Sequence, residues 1–450
     1  MTIAGTATAR NEQPAAICPL LAGTFEDLAR AGISYCLLRG YDELLHGSID
    51  GDVDILVAPE HGKALQRVLE RHGFLALTRW GQHPHRFFIG YDEPSDTWIK
   101  LDVVTELSYG RPIPALRTTL AADCLRRRRN YGPVFGLAAE DEFLTLLLHC
   151  LLDKGAIEPA YRARLAVLAR EVADQQYIAS QLALYFPPSM TWSRLQQAVG
   201  HGEWDVLLKA RSAVAGRLAH RDLWGTRWRK TVRPWLRFLD RRVRAVRSPG
   251  MTVALLAPDG AGKTTLARAL ERSFYLPTRY IYMGTGPRSS AGALPTTRWL
   301  AKRSARPGQR PFLRALGALN ELFEQSLRSC FGAYHRWQGR LVIFDRYAVG
   351  ALKPTDQPGA LHKRLKQWVL RQLCPPPDMV IYLDAPADVL YRRKQEHDPE
   401  LLEQQRQRYL QLMPHVPQMV SLDAQCTPDQ VRRRATNLIW RRYVARKKGG

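Results

Sequence analysis

Nine consecutive residues, Ala257-Pro-Asp-Gly-Ala-Gly-Lys-Thr-Thr265, have the types and spacing needed to hold phosphates. They follow the apolar run Met251–Leu256 and open into the helical run LARALERSF. A polyphosphate needs closely spaced backbone N–H donors, a helix N-terminus, a lysine that reaches its outer phosphates and a hydroxyl for magnesium. Gly260 and Gly262 let the backbone wrap, with Asp259 and Ala261 between and before them. Lys263 supplies the charge, Thr264 the metal ligand, and Thr265 completes the set. The usual pattern begins with glycine, and Ala257 stands there. The loop predicts binding of ATP with Mg2+.

A second constellation lies early in the chain. Gly51-Asp52-Val53-Asp54 puts two carboxylates on one side of a strand, because alternate residues project the same way. With Asp102 in the run IKLDVV, they would form a three-carboxylate cluster of the kind that holds two magnesium ions for nucleotidyl transfer. A solvated acid pair at a turn is the plainer alternative. His83 and His85 read as surface histidines. His149, Asp153 and Lys154 share a helical face, and either reach the carboxylate cleft or form a salt-bridged helix end.

The elements that must position these groups read as an α/β multidomain chain. Ile33–Leu38, Val53–Val57, Arg86–Gly90 and Thr97–Val104 read as strands and His61–His72 as a helix. From Glu140 to about Ala219 the periodicity is helical, broken at Pro187-Pro188. After Gly250, strand candidates Met251–Leu256, Arg279–Met283, Leu341–Phe344, Met379–Leu383 and Met419–Leu422 alternate with helices, which implies a five-stranded parallel sheet covered on both faces. The expected domains are 1–140, a helical bridge 141–220, a basic aromatic linker 221–249, and 250–450.

The 450 residues carry a net charge of +24, distributed unevenly. Residues 1–150 are net −4, 151–250 net +10 and 251–450 net +18. The later parts therefore suit an anionic partner such as nucleotide phosphates, an acidic membrane surface or an acidic polymer; an arginine-rich background is the alternative. Residues 221–247 hold ten Lys/Arg against two acids, interleaved with Trp224, Trp228, Trp235 and Phe238. This stretch is either a helix lying on an anionic membrane or a connector whose aromatic side packs on a neighbouring domain. A basic tail spans 432–448. Seven scattered cysteines with no CxxC pair argue for reduced thiols, and no run of apolar residues reaches the length of a spanning helix. With no apolar signal segment before Pro19, the expectation is a cytoplasmic protein, peripheral to the membrane if the basic helix binds there.

The loop xPDGAGKTT, the strand LVIFDRY, the strand MVIYLDAP followed by ADVLYRRK, and QQRQRYLQL together resemble the thymidylate-kinase-like branch of the nucleoside monophosphate kinases, over about residues 250–440. The resemblance implies that Asp345 organises magnesium and acceptor, that Arg346 clamps an acceptor phosphate, that the lid over the phosphates maps to Tyr391-Arg-Arg-Lys394 with Arg392 and Arg393 as its arginines, and that Asp259 faces the acceptor. The family's REPG-type acceptor loop is replaced by YIYMGTGPRSS, with Arg288 the nearest comparable cation, and a long insertion TTRWLAKRSARPGQRPF follows. A nucleotide-like, sugar or other hydroxyl acceptor is therefore open. In the first domain, CLLRG, GDVDILV and KLDVV resemble uncharacterised nucleotidyltransferase families of the polymerase-β superfold, with Gly40 at the spacing of their glycine loop and Arg39 where they have lysine. The leading expectation is an ATP-dependent P-loop kinase with an accessory nucleotidyltransferase-like domain that adds a second activity if its carboxylates turn over. The alternatives are a nucleotide-gated binding protein at an anionic surface and a nucleic-acid-binding NTPase. Nucleic acid is the less favoured partner, since neither an RNP-type aromatic motif nor zinc-finger spacing is present. Sequence alone leaves the oligomeric state open.

Overall fold

The computed structural model describes residues 17–47, 51–77, 84–111, 113–247, 249–284, 311–347, 352, 368–395 and 398–448. The chain divides into two compact units, Met1–Arg242 and Val243–Gly450.

The strands of the first unit are β1 (Tyr35–Leu37), β2 (Val53–Val57), β3 (Leu75–Ala76), β4 (Arg86–Asp92), β5 (Thr97–Val104), β6 (Ser108–Tyr109), β7 (Leu116–Arg117), β8 (Arg129–Tyr131) and β9 (Val134–Gly136). All but β6 and β7, which form a short ribbon of their own, join one mixed sheet in the order β3-β4-β5-β2-β1-β9-β8. β2 and β5 occupy the expected positions and run parallel, with Asp54 opposite Asp102. On one face, helices Pro19–Arg30 and Gly62–Arg71 bury Phe25, Leu28, Leu65 and Leu69 against Tyr35, Ile55 and Leu101. On the other, Cys36, Leu56 and Val104 pack with Phe143, Leu144 and Leu147 of helix Ala139–Leu148.

The region after Glu140 is helical, in shorter pieces than its periodicity suggests. The run that reads as one helix breaks at 172–174, between helices Pro159–Glu171 and Gln175–Tyr185. The reason is polar: Asp174 caps the second helix through the Tyr177 N–H, and buried Glu140 accepts the N–H groups of Ala173 and Asp174. After Tyr185 the chain leaves helix for the Pro187-Pro188 turn and resumes at Trp192. Leu223–Arg247 is one helix with Pro234 inside it.

The second unit is built on β10 (Met251–Leu256), β11 (Thr278–Tyr282), β12 (Leu341–Asp345), β13 (Met379–Asp384) and β14 (Met419–Asp423). They form a five-stranded sheet in the order β11-β12-β10-β13-β14, and every pairing is parallel. β10, β12 and β13 are buried almost throughout, as a sheet covered on both faces requires. The chain leaves β10 toward β11 and β12 on one side and later fills β13 and β14 on the other. The C-terminal end of β10 is thus a topological switch point, where parallel sheets open a crevice for ligands. Part of the basic tail serves this fold: in helix Pro428–Lys448, Arg446 bonds Asp378 and the Gly250 carbonyl, and Lys447 the Pro249 carbonyl. Among the described residues no helix is long and apolar enough to cross a membrane. All seven cysteines are free thiols, five of them buried.

Candidate functional site

The phosphate loop leaves β10 at the switch point and enters helix Lys263–Ser273. Gly260 and Gly262 adopt φ of 89° and 84°, a left-handed backbone that glycine alone takes without strain. Gly260 is also needed for room, because a Cβ there would lie 2.9 Å from the Leu390 carbonyl oxygen. Lys263 folds back over its own loop, donating to the carbonyl oxygens of Ala257 (2.9 Å) and Pro258 (2.6 Å). Glycine is thus not needed at 257 for the loop to close. Lys263 is 7% exposed, and burial pulls its pKa down to about 8 against the opposing pull of Asp259, 3.5 Å away. Asp259 lies between Lys263 and Arg346, whose Nη2 donates to it at 3.0 Å; burial pushes its carboxyl up, but the two cations outweigh that and hold it below the usual range.

Asp345 ends β12, beside β10, and is completely buried. Its Oδ2 accepts from Thr264 Oγ1 (2.6 Å) and from the Tyr280 hydroxyl (3.0 Å). Its Oδ1 is buried with no hydrogen-bond partner. A buried carboxylate oxygen left bare beside a threonine hydroxyl at a helix start is a donor set that suits Mg2+, and Thr264 with Asp345 would hold that ion, whose charge would offset that of the phosphates. Arg346 follows at φ 68°, a conformation costly for a side chain with a Cβ, and its guanidinium lies over the Tyr282 ring at 5.8 Å. The strained backbone turns Arg346 toward a cavity of about 260 Å3 lined by Ala257, Asp259, Lys263, Arg346, Gln405 and Tyr409.

The loop, Asp345 and Arg346 therefore converge. Thr265, exposed on the first turn of the helix, and Ala261, buried in the loop, complete the expected set. The two lid arginines are engaged elsewhere: Arg392 is exposed and pairs with Asp388 at 2.6 Å, and Arg393 donates to the Ala424 carbonyl at 2.9 Å. Lys394, the last residue of the expected lid, does come over the loop, with its Cβ 3.4 Å from the Cβ position of Gly260 and its charge acting on Asp259. Sequence reasoning passed over Tyr280, Tyr282 and Tyr409. For the first two a signal existed, since alternate tyrosines on a strand next to β12 must share a face. Arg288 and residues 296–310 of the insertion lie outside the described residues.

In the first unit, β2, β5 and helix Ala139–Leu148 with its π-helical continuation His149–Lys154 enclose a cavity of about 420 Å3. Asp54, Asp102, His149 and Asp153 line it. Each expected metal ligand already has a partner: Asp52 takes Lys100 (2.5 Å), Asp54 takes Arg39 (2.5 Å) and Asp102 takes His85 (2.9 Å). Among the described residues no group of three or more His, Cys, Asp or Glu side chains is placed to hold a metal ion. As arranged, these carboxylates fit side chains of the chain itself, and no step through a metal follows. His85 is not a free surface residue: burial lowers its pKa, the bond to Asp102 outweighs this, and the net shift is upward. Burial raises Asp102 despite that partner. His149 and Asp153 pair at 2.9 Å, and Asp153 also accepts the Gly110 N–H; Lys154 pairs with Glu158 instead. Gly40, at φ 70°, opens the short helix Tyr41–Leu45. His83 lies outside the described residues.

No protein-family model matches the chain, and no curated protein matches it. Among solved structures it is similar to a thymidylate kinase from Candida albicans, with 17% identity over 42% of this chain and 91% of that chain and a TM-score of 0.32. A likeness this remote carries no argument about activity.

Proposed function

We propose that the second unit is a P-loop phosphotransferase of the nucleoside-monophosphate-kinase type, moving the γ-phosphoryl group of ATP to a nucleotide-like or sugar-type acceptor. The observation that carries this reading is the Thr264–Asp345 hydrogen bond beside a buried, unpartnered Asp345 oxygen. It joins the start of the phosphate-loop helix to the end of the neighbouring strand, with Lys263 and Arg346 on the same cavity. Phosphoryl transfer is chiefly positioning and charge neutralisation, so the work of this chain is to supply fixed donors and cations. The loop N–H groups and Lys263 bind the donor phosphates, with Lys263 leaving the Ala257 and Pro258 carbonyls to do so. Arg346, exchanging Asp259 for an acceptor oxygen, orients the acceptor. Asp259 is then left as a carboxylate beside the acceptor.

Labelled ATP with Mg2+ and a panel of nucleoside monophosphates and phosphosugars tests this. Transfer of label to one acceptor, lost in Lys263→Ala with a cooperative unfolding transition retained, is the expected result. Slow hydrolysis with no acceptor labelled would instead favour a nucleotide-gated binding protein. We further propose that the first unit is an accessory nucleotidyltransferase-like domain. The reading is supported by Asp54 and Asp102 opposite one another in register on one cavity. Nucleotide binding to this cavity in the full chain, read by calorimetry and weakened by Asp54→Asn with binding to the second unit already abolished by Lys263→Ala, is the expected result, and no such binding would overturn this reading.

A further inference from the structure

The helix Leu223–Arg247 buries its polar side and exposes its aromatic one. Thr226 and Arg229 are each 4% exposed. Arg229 is fixed inward by bonds to the Ala115 carbonyl oxygen (2.9 Å) and to Asp222 (2.5 Å). Trp224, Trp228 and Trp235 are 84%, 57% and 73% exposed. At the helical angle per residue, positions 224, 228 and 235 fall within an arc of about 40°, while 226 and 229 lie across the axis.

Three indoles in line on a protein surface leave a large apolar area in water, which a monomeric soluble protein rarely keeps without a use for it. Indole has an apolar body and one N–H, and collects at the headgroup level of bilayers. The charges beside the stripe narrow the partner further. Exposed Arg227 borders it, and exposed Lys230 lies on the far side of the same helix. The same helix continues through Arg237, Arg241, Arg242, Arg244 and Arg247. A second copy of this helix would set cation against cation, and a neutral apolar surface would leave the cations unanswered. An anionic bilayer answers both, since its charge attracts a helix of this strongly basic sequence while the indoles enter the headgroup region.

We propose that the helix Leu223–Arg247 is an interfacial anchor that lays its Trp224, Trp228 and Trp235 side into the surface of an anionic lipid bilayer.

The test uses the full chain and sedimentation with vesicles of phosphatidylcholine, with or without about 30% phosphatidylglycerol. The wild type should bind the anionic vesicles about tenfold or more tightly than the neutral ones. Replacing the three tryptophans together by serine should weaken binding about tenfold or more. All three are exposed, so the unfolding curve should not move. Arg227→Glu should weaken binding to the anionic vesicles alone. Raising salt from about 0.05 to 0.15 M should weaken the wild type without abolishing binding, because screening does not reach the indole contribution. As a measurement that needs no variant, lipids brominated near the headgroup should quench wild-type tryptophan fluorescence. The proposal is overturned by equal vesicle binding of the wild type and triple variant, by absence of quenching, by a lipid-free dimer that the triple variant dissolves, or by loss of single-stranded DNA binding in that variant with vesicle binding unchanged.

Discussion

Lys263 tests the phosphate site through its proton as well as through its loss. Its ammonium is 7% exposed, and burial sets its pKa at about 8 against the usual 10.5. That displacement is worth about 3 kcal/mol, by which protonated Lys263 weakens the ligand-free second unit near neutral pH. An unfolded lysine keeps its proton up to about 10.5, so between about 8 and 10.5 the unfolded chain binds more protons than the folded one, and stability rises with pH across that window. Lys263→Met keeps the aliphatic stem and removes the charge. It also removes the hydrogen bonds to the Ala257 and Pro258 carbonyls, which offset about 1–2 kcal/mol of the gain. The ligand-free variant should therefore be about 1–2 kcal/mol more stable than wild type at pH 7, and the advantage should fade toward pH 10. Phosphoryl transfer should fall by about a thousandfold or more. Bound phosphates reverse the effect of burial and return the lysine pKa upward, so nucleotide binding at pH 8 should take up about half a proton. Titration calorimetry in two buffers of different ionisation enthalpy reads that uptake. No uptake in wild type, or the same uptake in Lys263→Met, would refute the placement of Lys263 against the phosphates.

At Arg346, φ 68° makes Arg346→Gly about 1 kcal/mol more stable than Arg346→Ala in denaturant unfolding; both should lose acceptor-dependent transfer while slow ATP hydrolysis persists, and equal loss of the two activities would assign the residue to the donor or the fold. Gly260→Ala meets both a left-handed φ and the Leu390 carbonyl, so it should cost about 1–3 kcal/mol and weaken nucleotide binding measured by calorimetry; a neutral effect would mean that the loop adapts. Thr264→Val removes the bond to Asp345 and should raise the magnesium needed for half-maximal transfer about tenfold, an unchanged requirement being the contrary result. In the first unit, the raised pKa of His85 means that its ion pair with Asp102 contributes fully below the ordinary histidine value and fades as pH rises through the folded one. His85→Phe should therefore destabilise the protein by about 1–3 kcal/mol at pH 6 and less at pH 9, read by urea unfolding at the two pH values.

Much of this protein is legible in local sequence because its elements are buried on both faces or punctuated by residues with one geometric use. β2, β5 and β10 run between the residues where their apolar patterns start and stop, and the phosphate loop follows from glycine, lysine and threonine spacing alone, since consecutive residues supply the whole donor set. Periodicity could not show the break at 172–174, because its cause is Glu140, over thirty residues away, accepting two backbone N–H groups. Nor could it show which cation each carboxylate would hold. Asp54 meets Arg39 and Asp102 meets His85, 15 and 17 residues away, and Arg346 meets Asp259, 87 residues away, because strand pairing brings their segments side by side. The same limit applies to the tryptophan helix. Its composition allows the aromatic side to face either protein or solvent, and the choice is made by Arg229 reaching the Ala115 carbonyl, a contact across 114 residues that turns the three indoles outward. Local pattern determines what an element is; which of its sides is buried depends on the partners that the tertiary structure brings to it.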